Sequence, residues 1–224
     1  AGASEAHDPL QARAPRVVGV LGVRVAHVRV HPGIEPDLRG RGESAYAKDS
    51  ASYNPLQYAD DIAMLFEETG IERVVAIGTS LGGLLVMITA MTAPQRLAGA
   101  LLNDVGPEID PKGLERIRDY VGQARSFETW MHAARAIEET QGSAFPDYTI
   151  TDWLAMAKRC MMVGGNGRIH FDYDVKIAEP FAQPGGEAGV DMWPALAGLK
   201  DKPVTLLRGE LSDILAPATL TRMA

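Results

Sequence analysis

The chain has 224 residues, 46% of them hydrophobic and 23% charged, with a net charge of -7. This is enough for one substantial core of ordinary globular composition, which excludes a disordered chain. The acidic balance argues against a nucleic-acid partner, which needs clustered Lys and Arg, and no apolar run reaches the length of a membrane span.

Residues 1–15 are Ala-rich and without a clear period. Glu5 and Asp8 beside Arg13 make them a poor secretory leader. The lone Cys160 allows no internal disulfide and fits a reducing cytoplasm. The chain opens on Ala1 and stops at Ala224 within the helix-like "APATLTRMA", so it is read as a piece of a longer protein. Residues 16–30, with "RVVGVLGVRV" and "AHVRV", are strand-like. "HPGIEPDLRGRGES" is a loop broken by Pro and Gly.

Asn54-Pro55 is a helix start, with Asn as cap and Pro at the first helical position. Tyr58, Ile62, Leu65 and Phe66 share one face, and Gly70 closes the helix. Residues 73–77 form a short apolar strand of the kind buried on both faces of a parallel sheet. A nearly all-apolar helix follows Ser80 and ends at Pro94, and residues 97–102 form the next strand. Helix, strand, helix and strand on short connections give an α/β fold. Its sheet should be mostly parallel with helices on both faces.

Residues 111–162 read as mostly helical. Asn166-Gly167 predicts a small hairpin, residues 193–199 a helix, and "KPVTLLRGELSDILAP" a strand, turn and loop. The organisation expected is a core over 1–107, a mainly helical cap inserted over 108–180, and the rest of the core, incomplete, over 181–224. In the cap, Trp130, Trp153, Met131, Met156, Met161 and Met162 serve as core. Any that line a pocket would select a substrate with an apolar or aromatic part.

The strand before Ser80 breaks at Gly78-Thr79-Ser80-Leu81-Gly82, a G-x-S-x-G pattern with a strand before it and a helix after. Glycines two residues to either side of the serine remove side chains that would collide across a tight turn. The hydroxyl then stands at the C-terminal edge of the sheet, and the Leu81 N–H at the helix start can serve a developing oxyanion. No Lys follows the glycines and the G-x-G-x-x-G spacing is absent, so a phosphate-cradling loop is disfavoured.

From Pro36 to the end the chain resembles the capped, serine-nucleophile type of the α/β-hydrolase family. "PDLRGRGES" is similar to that family's loop after its fourth strand, "GTSLGG" to its nucleophile elbow, "LLNDVGPEI" to its exit toward the cap, and "PVTLLRGELSDIL" to its seventh strand and acid loop. The resemblance implies Ser80 as nucleophile, Asp213 as the acid of the triad, and Leu81 N–H as an oxyanion donor. As a plain loop residue, Asp213 would instead cap the next helix. Asp104, where some relatives place the acid, reads as a structural turn residue.

Family order places the histidine after the acid, beyond residue 224. His7, His27, His31, His132 and His170 do not occupy that position, so these 224 residues alone are expected to turn over p-nitrophenyl acetate poorly or not at all. The family's "HG" pair, source of a second oxyanion donor, is also missing. Only a remnant of its strand and loop is read at Val20-Leu21-Gly22.

The resemblance implies a serine hydrolase of carboxylic esters, lactones or related acyl or C–C bonds, acting on a small-molecule acyl substrate. The alternatives are a non-catalytic or inactive truncated hydrolase-fold protein, and an acyltransferase on the same fold. No H-E-x-x-H or C-x-x-C spacing suggests a metal, and no organic cofactor is implied.

Overall fold

A computed structural model describes residues 33–182 and 191–224. The strand-like segment 16–30, the remnant at Val20-Leu21-Gly22, and His7, His27 and His31 lie outside the described residues. In chain order the elements are α1 (Pro55–Thr69), β1 (Val74–Thr79), α2 (Leu81–Thr92), β2 (Leu97–Asn103), α3 (Pro111–Tyr120), β3 (Ser126–Phe127), α4 (Trp130–Gln141), α5 (Ile150–Cys160), β4 (Met161–Val163), β5 (Ile169–Phe171), α6 (Glu179–Ala182), α7 (Trp193–Ala197), β6 (Val204–Leu207) and α8 (Pro217–Met223).

Local signals set the first helix. The Asn54 side chain accepts the Gln57 N–H, Pro55 opens α1, and Gly70 ends it at φ 66°. β1, β2 and β6 form a parallel sheet in the order β1-β2-β6. Strands joined by a crossover helix are parallel, so their C-terminal ends share one edge. α2 and α7 pack on one face of this sheet around Met87, Leu97, Leu102 and Leu199. The nearly all-apolar sequence of α2 is explained by its position: α1, α7 and the sheet all press on it.

The opposite side of β1 differs from expectation. Val74 and Ala76 pack into the core, but Val75 and Ile77 are 68% and 73% exposed. The apolar run therefore reports capacity for burial on both faces, whereas only one face is covered among the described residues.

The segment from α3 to β5 has its own core. Trp153, Ala133, Ala134, Ile137, Ala157, Met161 and Ile169 bury one another. The hairpin expected at Asn166-Gly167 joins β4 and β5, and β3 extends it into an antiparallel sheet ordered β3-β5-β4. The helical pattern stops two residues earlier than the sequence suggests, because Met161 and Met162 leave α5 to pair with Phe171 and His170. Cross-strand pairing has overridden helical periodicity there.

Side-chain and backbone bonds tie the "PDLRGRGES" loop to both cores. Arg39 forks onto the fully buried Asp61 of α1 at 2.7 and 2.6 Å. Arg41 pairs with Tyr173 just after β5. The Tyr53 hydroxyl donates to buried Asp174 at 2.7 Å and accepts the Ala47 N–H. Burial and the neighbouring Asp174 carboxylate push the Tyr53 phenol up to about 12. Among the described residues, no helix is long and apolar enough to cross a membrane.

Candidate active site

Ser80 sits between β1 and α2 with φ 49° and ψ -117°. A positive φ at a non-glycine residue costs on the order of 1–3 kcal/mol and persists only where the surroundings enforce it. Here they do. The Ser80 N–H donates to the Asn103 carbonyl of β2, and its carbonyl accepts the N–H groups of Gly83 and Leu84. Main chain presses on main chain below it. A Cβ on Gly78 would lie 2.4 Å from the Gly82 carbonyl carbon, and one on Gly83 2.3 Å from Val105 Cγ1.

The glycine requirement is thus partly relocated. Gly82, the second glycine of the pattern, has nothing within 4 Å of where its Cβ would stand. Gly78 and Gly83 carry the close approach. The "GG" of "GTSLGG" held that information, since Gly83 lies one residue outside the pentapeptide.

The Ser80 side chain is exposed. Leu81 is the first residue of α2, so its N–H has no acceptor within the helix and faces the same turn. Asp213 lies in the loop after β6. The Ser212 hydroxyl accepts the N–H groups of Ile214 and Leu215. The Arg208 guanidinium takes the carbonyls of Glu210, Ser212 and Leu215. Asp213 does not cap α8, whose N-cap is Ala216 with no side-chain bond. Its carboxylate instead accepts a fork from Arg116 of α3, Nε at 2.6 Å and Nη2 at 2.7 Å. That guanidinium holds the Asp213 carboxyl below the usual aspartate value. Arg116 escaped the sequence reading because its partner is 97 residues away.

Ser80 and Asp213 follow strands that flank β2 at the same sheet edge, and the turn after β2 links them. Asp104, at φ 54°, donates its N–H to the Leu207 carbonyl and accepts the Gly209 N–H on its carboxylate. Asp104 is thus the turn residue expected of it, bracing the end of β6. His132 is exposed on α4, and His170 Nδ1 lies 2.9 Å from the Phe171 carbonyl in β5.

The apolar residues singled out in the helical unit divide. Trp153 and Met161 are buried core, Trp130 and Met156 pack against it, and Met131 and Met162 are exposed. A cavity of about 160 Å3 lies between α3, α4, α5 and β5, with Tyr120, Ile137, Gln141, Met156 and Phe171 in its wall. It does not reach Ser80. Among the described residues, no three His, Cys, Asp or Glu side chains gather as metal ligands would.

Comparison with known proteins identifies the fold family. Over 197 residues the chain is 32% identical to a 3-hydroxybutyrate-oligomer hydrolase of Cupriavidus necator, covering 84% of this chain and 66% of that protein. Over 119 residues it is 30% identical to an esterase of Mycobacterium tuberculosis, covering 53% of this chain and 38% of that one. The crystal structure of an alpha/beta hydrolase from Novosphingobium aromaticivorans superposes with a TM-score of 0.81 at 58% identity, over 85% of this chain and 67% of that one. The chain therefore spans about two thirds of the first and third relatives, and less of the second. The alpha/beta hydrolase fold matches residues 28–145, more than half of the chain. This chain belongs to the alpha/beta hydrolase fold family.

Proposed function

We propose that this chain is the larger part of a serine hydrolase acting on carboxylic esters, with Ser80 as nucleophile and Asp213 as the acid that orients the base. The observation that carries this reading is the strained backbone of Ser80. A serine held at φ 49° on an exposed turn has no structural use that glycine would not serve better. Ester-hydrolase names among the relatives support the same class.

In this reaction the Ser80 hydroxyl adds to the acyl carbon and passes its proton to an imidazole. The oxyanion accepts the Leu81 N–H, the alcohol leaves with the proton, and water then releases the acid. The imidazole is assigned to the part of the relatives' length that these residues do not span. Strands two apart lie roughly 10 Å from each other, which leaves room for an imidazole between Ser80 and Asp213. The segment 108–180 acts as a cap over the site, and the core comprises 1–107 and 181–224. The single cysteine suits a cytoplasmic enzyme.

The deciding experiment is labelling of the full-length protein by a fluorophosphonate probe, with Ser80→Ala as control. Label confined to the protein with Ser80 supports the reading. Absence of Ser80-dependent label would leave a non-catalytic hydrolase-fold protein. Competition of an added alcohol with water for the acyl-enzyme would mark an acyltransferase instead.

A further inference from the structure

Asp110, Gly113 and Arg116 follow one another at intervals of three, so they share one side of the start of α3. All three meet the acid loop. The Asp110 N–H donates to the Ile214 carbonyl at 2.9 Å. A Cβ on Gly113 would stand 2.2 Å from the Asp213 carbonyl oxygen and 2.7 Å from Ile214 Cδ1, so glycine alone permits this approach. One turn of contact later, Arg116 closes its fork on the Asp213 carboxylate. Behind the fork, Arg116 Nη1 donates to Gln141 Oε1 of α4, so the guanidinium is held from its far side too.

A pair this exposed adds little to stability, since its side chains are 29% and 39% accessible. A bidentate guanidinium does fix the plane of a carboxylate, which a lysine cannot. An ionised carboxylate offers about four lone-pair sites, and the fork uses one on each oxygen. Sites for an imidazole N–H remain. Arg208 holds the main chain of the same loop, so one arginine sets the loop and the other sets its carboxylate.

We propose that Arg116 is a positioning residue of the active site: its fork fixes the Asp213 carboxylate for the base and fastens the acid loop to the helical unit. This rests on the reading of Ser80 and Asp213 above.

The test uses the full-length protein with Arg116→Lys, Arg116→Gln, Asp213→Asn and the Gln/Asn double variant. It reads kcat and KM on p-nitrophenyl butyrate, the rate of Ser80 phosphonylation by a fluorophosphonate, and the melting temperature. Arg116→Gln should lower kcat about tenfold or more, with KM within about twofold, because a misplaced catalytic group loses rate rather than binding. Arg116→Lys should fall between it and wild type, and it carries the test if the Gln variant fails to fold. In the Asp213→Asn background Arg116→Gln should cost nothing further in phosphonylation rate. Unchanged kcat in both Arg116 variants, a loss in KM alone, or the same loss with and without the Asp213 carboxylate would overturn the proposal while leaving the serine reading intact. Wild-type protein with no Ser80-dependent labelling would bring down both.

Discussion

The Ser80 N–H donates to the Asn103 carbonyl at 3.2 Å, while the Asn103 side-chain amide donates to Thr79 Oγ1 at 3.1 Å. Two bonds from one residue of β2 thus hold both the end of β1 and the strained residue after it. The strain at Ser80 is borne by the sheet, and its release should register as stability. Ser80→Gly is expected to stabilise the protein by about 1 kcal/mol relative to Ser80→Ala, since glycine adopts positive φ without penalty. Urea unfolding of the two variants measures it. Equal midpoints would show that the turn costs nothing.

The three glycines around the turn should behave unequally. Gly78→Ala and Gly83→Ala put a methyl into backbone and into Val105, and each is expected to cost roughly 1–3 kcal/mol. Gly82→Ala meets open space near the start of α2, and is expected to be neutral or to stabilise by up to about 1 kcal/mol. Thermal melts of the three single variants check the order.

Asp61 is fully buried and its oxygens take the Arg39 fork, with Gln57 Nε2 3.4 Å away. Removing one partner of a buried pair leaves an uncompensated charge. Arg39→Met is therefore expected to cost about 3 kcal/mol, and Arg39→Met with Asp61→Leu appreciably less than the sum of the single variants. A double-mutant cycle in urea reads the difference. Additive losses would mean that the two side chains act independently.

The Arg116 fork also sets a pH dependence. Asp213 is held below its ordinary value in the folded state, so its contribution to stability is present above the unfolded pKa and is lost as pH falls through the folded one. Wild type and Arg116→Gln should therefore differ most near neutral pH and converge below the ordinary carboxylate range. The gap is expected to be small, given the exposure of both side chains. Unfolding midpoints at pH 7 and pH 3 test the sign.

Tyr53 runs the other way. Its phenol is raised to about 12 in the folded protein, so it stabilises fully below its ordinary value of about 10 and loses that contribution as pH rises through 12. Tyr53→Phe removes the donor to Asp174 and the acceptor for Ala47, and should cost about 1–3 kcal/mol. Alkaline titration of phenolate absorbance should lose its highest-pH step in this variant.

Features written in neighbouring residues were legible before the structure. Asn54-Pro55 and Gly70 bracket α1, and Asn166-Gly167 turns the hairpin, because caps and turns are local chemistry. Ser80 stood out for the same reason. What stayed hidden depends on distant partners. Met162 follows His170 into a sheet, Arg116 answers to Asp213, and Val75 has no cover among the described residues because burial is set by what lies over a strand rather than by the strand's own composition. Two-residue β3 could not be read at all, since nothing in Ser126-Phe127 announces a strand.

The contact of Gly78 with Gly82 and Gly83 is peptide against peptide. No rotamer enters that contact, so this part of the anchorage of Ser80 does not depend on which side chains surround it. Leu81, half-buried, follows the serine and can change in kind without touching that contact, whereas Thr79 keeps its hydroxyl bond to Asn103. A lineage, or an engineer, can therefore recut the walls around this hydroxyl to suit a new molecule while its anchorage in the sheet stays as it is.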